Sequence, residues 1–128
     1  MKRMIVVFVF LIVGLVIIAS CQPATVSEGI PDENLEMENP LPVNATIARA
    51  GEELYAEHCQ RCHGADALGK GFAPDLVASA GENEDGTLYW WVTTGGGSLS
   101  MPAFSSVLSD DEVWQILTYL EYLGLETE

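Results

Sequence analysis

The order of apolar and polar positions divides this chain into three parts. Residues 4–19 form an unbroken apolar run after the basic start Met1-Lys2-Arg3. Residues 22–44 are polar and rich in proline and acids. From about Ala45, apolar residues recur three and four positions apart near both ends of the remaining stretch, which predicts amphipathic helices.

The first part has the outline of an export signal, because a basic start and an apolar run precede a small-residue site. The run has about 16 residues, fewer than the roughly 20 that span a bilayer as a helix, which disfavours an uncleaved transmembrane anchor. The tetrapeptide Ile18-Ala19-Ser20-Cys21 resembles a bacterial lipobox, whose cysteine carries the lipid of the mature protein. We therefore expect a signal peptide over residues 1–20. An ordinary cleavage site with an incidental cysteine is the alternative.

The count of cysteines favours lipidation. The chain has three, and if Cys59 and Cys62 act together, Cys21 is left over for another use. Two or more acyl chains hold a protein stably at a membrane, whereas a single chain does not. We expect an exported protein that is anchored by lipid on Cys21 at the periplasmic or outer face of the cytoplasmic membrane.

Residues 22–44, with the sequence QPATVSEGIPDENLEMENPLPVN, hold four of the six prolines, acids and no base. Such a composition buries too little apolar surface to fold alone, so residues 21–44 are predicted to be a lipidated tether. An alternative is that the stretch becomes ordered along the surface of a partner.

The third part, residues 45–128, is predicted to be one all-α domain with no internal repeat. Apolar spacing indicates a first helix that ends near His58 and a last helix that begins with the capping box Ser109-Asp110-Asp111-Glu112. A shorter helix is expected from about Asp85 to Thr94, stopped by three glycines. A folded unit of about 80 residues is marginal without a metal or cofactor as a staple.

Charge narrows the class of partner. The part after the signal has nineteen acids and only three bases (Arg49, Arg61 and Lys70), a formal charge of −16. Nucleic acid is excluded as a partner because its binding depends on Lys and Arg contacts to phosphate. A solvated surface is the simplest explanation of the acids. A redox partner with a basic docking face is the more specific one.

The candidate chemistry is concentrated in Cys59-Gln60-Arg61-Cys62-His63. A thioredoxin-like dithiol requires a βαβ setting, and here helices are expected on both sides. A tetrahedral zinc site needs a fourth ligand, and the only other histidine, His58, directly precedes the motif. Attachment of c-type haem is the remaining use of the Cys-x-x-Cys-His pattern, with one thioether on each cysteine and His63 on the iron.

A haem iron held by one histidine needs a second axial ligand if it is to shuttle electrons, and methionine is a common one. Two methionines remain after export. Met37 lies in the acidic tether, whereas Met101 lies in the loop sequence GGGSLSMPAF with no helical period. A methionine in a helical core is more often simple filling, but this position favours Met101 as the axial ligand.

These motifs, in their order, resemble those of a class I monohaem cytochrome c of the bacterial lipid-anchored type. The matching positions are Gly51, Leu54 and Tyr55, the pentapeptide with Gly64, Ala73-Pro74-Asp75-Leu76, Met101-Pro102-Ala103-Phe104, and Leu108-Ser109-Asp110 before Trp114 and Tyr119. The resemblance implies three or more helices wrapped around one covalent haem, with the outer helices crossing at Gly51, Tyr55 and Tyr119. It also implies that the Pro74 carbonyl accepts the N–H of the axial histidine.

The resemblance further implies an electron carrier rather than an enzyme, either free or as a subunit of a respiratory or photosynthetic electron-transport complex. A haem enzyme or gas sensor with an open sixth site is the alternative, and a purely structural subunit is a third. The chain lacks the lysine-rich face of mitochondrial members, so their partners cannot be transferred to it. Tyr89, Trp90 and Trp91 are expected to pack in the core more than to cover the haem, and His58 is expected to be exposed.

Overall fold

The computed structural model describes residues 29–96 and 101–126 of the chain. In these residues it contains six helices and no strand, apart from an isolated bridge between Lys70 and Ala73. The helices are α1 (Asp32–Leu35), α2 (Ala45–His58), α3 (Gln60–His63), α4 (Leu76–Glu82), α5 (Asp85–Thr94) and α6 (Asp110–Glu126). The predicted all-α class is confirmed.

Helices α2 and α6 form the most extensive helix pair of the described fold. Their backbones approach most closely at Gly51, where a Cβ atom would collide with the Gln115 carbonyl oxygen and lie 2.9 Å from Tyr119 Cβ. Beside this point the rings of Tyr55 and Tyr119 meet with centroids 5.4 Å apart. The expected crossing of the outer helices at these positions is therefore confirmed, and only glycine allows it.

Helix α6 begins with the predicted capping box. The Ser109 N–H and hydroxyl both donate to the Glu112 carboxylate at 2.8 Å, and the Glu112 N–H donates back to Ser109 Oγ at 3.4 Å. These bonds satisfy donors that have no partner within the helix. The helix then supplies a large part of the described core, namely Val113, Trp114, Ile116, Leu117, Thr118, Tyr119 and Leu120.

Helix α5 has the predicted bounds. Tyr89 stacks on Trp114 with centroids 4.6 Å apart, and its hydroxyl donates to Asp110 Oδ1 at 2.6 Å. Trp91 also packs against the core. The expectation of core packing is confirmed for these two side chains, whereas Trp90 is half-buried and is not among the described side chains that pack against the core cluster.

Helix α4 was not predicted from the sequence. Its seven residues, LVASAGE, have no clear apolar period, and it is capped by Asp75, whose carboxylate accepts from the Ala78 N–H at 2.9 Å. The helix packs along α6, where Leu76 and Val77 contact the core. Tertiary packing thus stabilises a helix that its own residues support weakly.

The stretch from Ile30 to Asn44 lies on the helices instead of extending away from them. Ile30 is buried, and Met37 and Leu41 pack against the core. Asn44 caps α2 by accepting from the Thr46 and Ile47 N–H groups. For these residues the description as an unstructured tether is therefore replaced by a packed segment. For residues 21–28 it stays a prediction, since they lie outside the described part of the chain.

Other expectations also fall outside the described residues, including the signal peptide over residues 1–20, lipidated Cys21, and residues 97–100 before Met101. Within residues 29–96 and 101–126, no helix is both long enough and apolar enough to cross a membrane.

Candidate functional site

The two cysteines of the site lie where α2 passes into α3. Cys59 ends α2, and its carbonyl accepts the N–H groups of Cys62 at 3.1 Å and His63 at 3.0 Å. This single helical turn therefore brings Cys59 and Cys62 to one side of the chain and His63 directly after them.

Neither thiol is in a disulfide. Cys59 is half-buried, and its burial, with a smaller contribution from nearby Cys62, raises the pKa of the Cys59 thiol to about 11. Redox-active dithiols require a lowered pKa instead, which disfavours the dithiol alternative. In the described residues no three His, Cys, Asp or Glu side chains gather as a metal site, which disfavours the zinc alternative.

The His63 ring is buried and oriented by one hydrogen bond. The residue is 8% exposed, and its Nδ1 lies 3.3 Å from the Pro74 carbonyl oxygen. A carbonyl can only accept, so the proton of the neutral ring is on Nδ1 and the lone pair is on Nε2. This is the arrangement in which a histidine binds a metal through Nε2 while its other nitrogen holds the ring in place.

The loop over residues 64–75 is what places Pro74 against the histidine. The Gly69 N–H donates to the His63 carbonyl at 3.0 Å, and the Leu76 N–H donates to the Ala67 carbonyl at 2.8 Å. Ala67 itself is fully buried in the core. Sequence reasoning did not identify a further bond, from the Tyr55 hydroxyl to the Gly64 carbonyl at 2.7 Å. Burial raises the pKa of Tyr55, so its hydroxyl stays a donor.

The outer side of the same loop carries large apolar side chains that nothing in the described chain covers. Phe72 is 106% exposed and Leu68 is 55% exposed, and Val107 is 59% exposed in the segment after Met101. Exposed apolar groups of this size, beside two unbonded cysteines and a histidine with an available Nε2, fit a large apolar group bound at that position.

Met101 lies in a bend at the end of α5. Its carbonyl oxygen would be 2.7 Å from a Cβ atom at Gly95, the residue that caps the helix in a left-handed conformation with φ +90°. Three residues later, the Phe104 N–H donates to the Val92 carbonyl at 3.0 Å. Helix α5 therefore holds the Met101 segment by backbone contacts on both sides of Pro102.

A ring contact joins the Met101 segment to the cysteine motif. His58 meets Phe104 edge-on, with ring centroids 6.3 Å apart, and its side chain is 19% exposed. The expectation of an exposed His58 was therefore wrong, because Phe104 covers its ring. Since His58 directly precedes Cys59, this contact brings the segment with Met101 close to the turn with the two cysteines.

Met37 occupies a different setting from Met101. Its sulfur accepts a hydrogen bond from Asn34 Nδ2 at 3.4 Å, and its side chain packs against the core. It contacts the start of α5, at Gly86, whereas Met101 lies at the end of that helix. The structure thus brings Cys59, Cys62, His63 and Pro74 together, joins the segment that contains Met101 to them through the Phe104–His58 contact, and leaves Met37 elsewhere.

Charge is unevenly distributed over the fold. Residues 59–75 contain two bases, Arg61 and Lys70, and two acids, Asp66 and Asp75, so their formal charge is zero. Residues 101–109 contain no charged side chain. The other described residues contain one base, Arg49, and fifteen acids. The acidity inferred from composition therefore belongs mainly to the rest of the described chain, while the two site segments have no net charge.

Residues 46–120 match the family model described as cytochrome C oxidase, cbb3-type, subunit III. This match covers more than half of the chain and includes the cysteine turn, Pro74 and Met101. The chain belongs to the cytochrome c family. The domain is therefore an electron-transfer domain that carries covalently bound haem c, and its cysteine turn, oriented histidine and uncovered apolar side chains fit that group.

Three relatives give further context for this cytochrome c domain. Cytochrome c550 of Pseudomonas aeruginosa is 35% identical over 80 residues, covering 59% of this chain and 55% of that protein. Quinohemoprotein alcohol dehydrogenase ADH IIB of Pseudomonas putida is 32% identical over 83 residues, 63% of this chain and 12% of the relative. Cbb3-type cytochrome c oxidase subunit FixP of Rhizobium meliloti is 33% identical over 88 residues, 65% of this chain and 30% of the relative. The matched region thus spans about half or less of each relative.

Proposed function

We propose that this protein is an electron carrier whose single haem c is attached through Cys59 and Cys62 and bound axially by His63 and Met101. The observation that carries this proposal is the hydrogen bond from His63 Nδ1 to the Pro74 carbonyl, because it leaves Nε2 of a buried ring available to iron. The haem c supplies reversible one-electron chemistry when it is bound.

Each residue has a role that follows from its setting. Cys59 and Cys62 provide the thioether sulfurs, since they are unbonded and lie on one helical turn. Pro74 fixes the plane of the His63 ring and increases its basicity through the hydrogen bond. Met101 is proposed as the sixth ligand, and this is supported by the Phe104–His58 contact between its segment and the motif and by the engagement of Met37 elsewhere.

Two axial side chains leave no position for a substrate on the iron, so we propose a carrier and not an enzyme. The relatives support both a separate cytochrome and a domain within a larger assembly: one is named a cytochrome, one an alcohol dehydrogenase and one an oxidase subunit. We therefore propose that this domain transfers electrons to or from a protein partner, either as a free carrier or as a subunit of a respiratory complex.

Attachment of the haem can be tested on the denatured protein. Acid–acetone extraction should leave the haem on the wild-type chain, whereas Cys59→Ala and Cys62→Ala should each reduce that retention. His58→Ala is a matched control beside the motif and should retain the haem fully, because His58 supplies no thioether. Complete release of haem from the wild type would contradict the proposed attachment.

We further propose a lipid anchor on Cys21. The support comes from the lipobox-like sequence and the count of cysteines, since this residue lies outside the described part of the chain. Mass spectrometry of the mature protein from native membranes should find an acylated Cys21 as the first residue. A protein that begins at another residue, or an unmodified Cys21, would contradict this part of the proposal.

The uneven charge suggests how the partner docks. Acids on the helices attract a basic surface over a long range, while the site segments, which have no net charge and expose Leu68, Phe72 and Val107, make the close contact. The soluble domain should transfer electrons to its partner more slowly as salt rises, because salt screens exposed charges over roughly 10 Å at 0.1 M. A rate that is flat or rises with salt would reject the basic docking face and would indicate that docking depends on apolar contact around Pro102 and Phe104.

A further inference from the structure

The segment of residues 30–44, here called the strap, is attached to the haem domain at several points far apart in sequence. Ile30 is 7% exposed, and Met37 and Leu41 pack against the core. The Met37 carbonyl accepts the Gly86 N–H at 3.1 Å, at the start of α5. The polar, proline-rich composition of the strap favours an unstructured chain, but its buried side chains show that it is packed on the domain.

Asn39 is the polar centre of the strap. Its backbone N–H donates to Asp85 Oδ2 at 2.8 Å, and its side-chain amide donates to Thr118 Oγ1 at 2.9 Å. Thr118 is fully buried on α6, and its own hydroxyl proton goes to the Trp114 carbonyl. The helices use this hydroxyl only as a donor, and the strap supplies the hydrogen bond that it accepts. A hydrogen bond to a buried oxygen favours docking of Asn39.

Gly86 makes the docking possible. It lies inside α5, where glycine is a poor helix former, yet a Cβ atom there would collide with the Asn34 carbonyl and lie 2.9 Å from Met37 Cβ. The backbones of strap and helix touch at this residue. Alanine at position 86 would raise the helix propensity of α5 and displace the strap. Loss of strap docking can therefore be measured without weakening α5.

We propose that the strap fastens the haem domain close to its membrane anchor and that its release lengthens the reach of the domain. The reach depends on the lipid anchor at Cys21 proposed above, whereas the docking does not. With the strap docked, 8 residues (22–29) join Cys21 to the domain, but 23 residues (22–44) do so once it is released.

The change in reach follows from these lengths. Fully extended, 8 residues reach at most about 26–29 Å and 23 residues at most about 76–83 Å. A docked strap thus keeps the haem near partners in the same membrane, where the short link gives a high effective concentration. A released strap lets the domain reach more distant partners.

Docking is tested by amide hydrogen exchange on the intact holoprotein. The Asn39 N–H should be protected in the wild type, and in Gly86→Ala its protection should fall by about tenfold or more. Gly81→Ala is the matched control, because a Cβ atom there meets nothing within 4 Å and therefore no residue of the strap. Asn39→Ala provides a second variant, in which the Gly86 N–H should lose protection. An unchanged absorption spectrum shows in each case that the haem site is intact.

Reach is tested with the lipidated holoprotein on phosphatidylcholine vesicles that carry a headgroup-attached dye. The haem quenches the dye, and quenching should be weaker for Gly86→Ala than for the wild type or Gly81→Ala, because the longer connection lets the haem lie farther from the membrane.

Three outcomes overturn a stated part of the proposal. An Asn39 N–H that is unprotected in the wild type, or equally protected in Gly86→Ala, overturns the docked strap. Equal quenching by all variants, in spite of lost protection, overturns its control of reach. Absence of vesicle binding overturns the lipid anchor together with the reach, and the exchange result then decides the docking alone.

Discussion

The segments that carry His63 and Met101 are held in place by different means. The histidine loop (residues 64–75) is held largely by its own backbone, through bonds such as Gly69 N–H to the His63 carbonyl and Leu76 N–H to the Ala67 carbonyl. The methionine segment (residues 101–108) is held from outside, by Val92 and Gly95 of α5 and by the His58 ring. Although Tyr55 and the core also contact the histidine loop, one ligand is thus placed mainly by contacts near in sequence and the other by contacts distant in sequence.

This difference suits the chemistry proposed for the site. A locally held histidine remains oriented next to the cysteines that attach the haem, whatever happens at the other end of the domain. A methionine that depends on several distant contacts is the ligand that is lost first when the fold is perturbed. We therefore expect mutations in the two segments to have different spectroscopic effects even when they cost similar stability.

The largest expected effects come from a matched pair of glycines. Gly69 in the histidine loop has φ +88°, with a Cβ position 2.6 Å from the Ala73 carbonyl oxygen. Gly95 has φ +90°, with a Cβ position 2.7 Å from the Met101 carbonyl oxygen. Alanine at either position should reduce the free energy of unfolding by about 2–4 kcal/mol, through backbone strain and close contact. Only Gly95→Ala should also weaken the sulfur–iron absorption band of the ferric protein.

Gly71→Ala is the control for this pair. Its φ of +63° brings the same kind of backbone strain, but a Cβ atom there meets nothing within 4 Å. It should cost about 1 kcal/mol and leave the spectrum unchanged. Equal loss of the sulfur–iron band in Gly69→Ala and Gly95→Ala would show that the two segments are not held independently.

A smaller effect is expected from the ring contact between the segments. Phe104 is half-buried, so Phe104→Ala should cost about 1–2 kcal/mol, less than truncation of a fully buried ring. Because the ring fixes the methionine segment against His58, carbon monoxide should bind the reduced variant faster than the wild type. His58→Ala should also speed carbon monoxide binding, whereas His58→Phe should keep it slow because a ring is retained against Phe104, and Ser105→Ala should change nothing. Unaltered carbon monoxide binding in Phe104→Ala would remove the ring contact from the account.

The smallest effect concerns pH and the end of the methionine segment. Hydrogen bonds from Ser109 lower the pKa of Glu112, so its contribution is present above the ordinary pKa of glutamate and is lost as pH falls through the lowered value. Acid should therefore weaken the wild type more than Glu112→Gln in chemical denaturation.

The pH effect of Glu121 has the opposite sign. Burial, with Asp85 nearby, raises the pKa of Glu121, so its contribution to stability is lost as pH rises. The same pH profile for the wild type, Glu112→Gln and Glu121→Gln would contradict these assignments.

Local signals in the sequence predicted the parts of this fold that depend on nearby residues. The bounds of α5 and the capping box of α6 were predicted because helix signals lie within a few residues of the ends that they define. The pentapeptide from Cys59 to His63 predicted its own turn for the same reason. A match to the cytochrome c family confirms the cofactor that this motif indicated.

The remaining features depend on partners that are distant in sequence. Asn39 contacts Thr118, 79 residues away, and no local pattern in a proline-rich stretch indicates that bond. Gly86 resembles an ordinary helix defect until the Asn34 carbonyl is placed against it. His58 was expected to be exposed, because Phe104, which covers its ring, is 46 positions away and no local pattern links the two residues. The axial role of Met101 depends on the same kind of long-range contact, which is why it stays a prediction.

Axial ligation by Met101 is the central claim, and the optical spectrum of paired methionine variants tests it most directly. The wild-type ferric protein should show the weak red absorption band of a sulfur–iron bond, and the reduced protein should be low-spin and bind carbon monoxide poorly. Met101→Ala should abolish the band and allow ready binding of carbon monoxide, while Met37→Ala should leave both properties unchanged, because that sulfur is engaged by Asn34 at the far end of α5. Loss of the band in Met37→Ala with its retention in Met101→Ala would contradict the account.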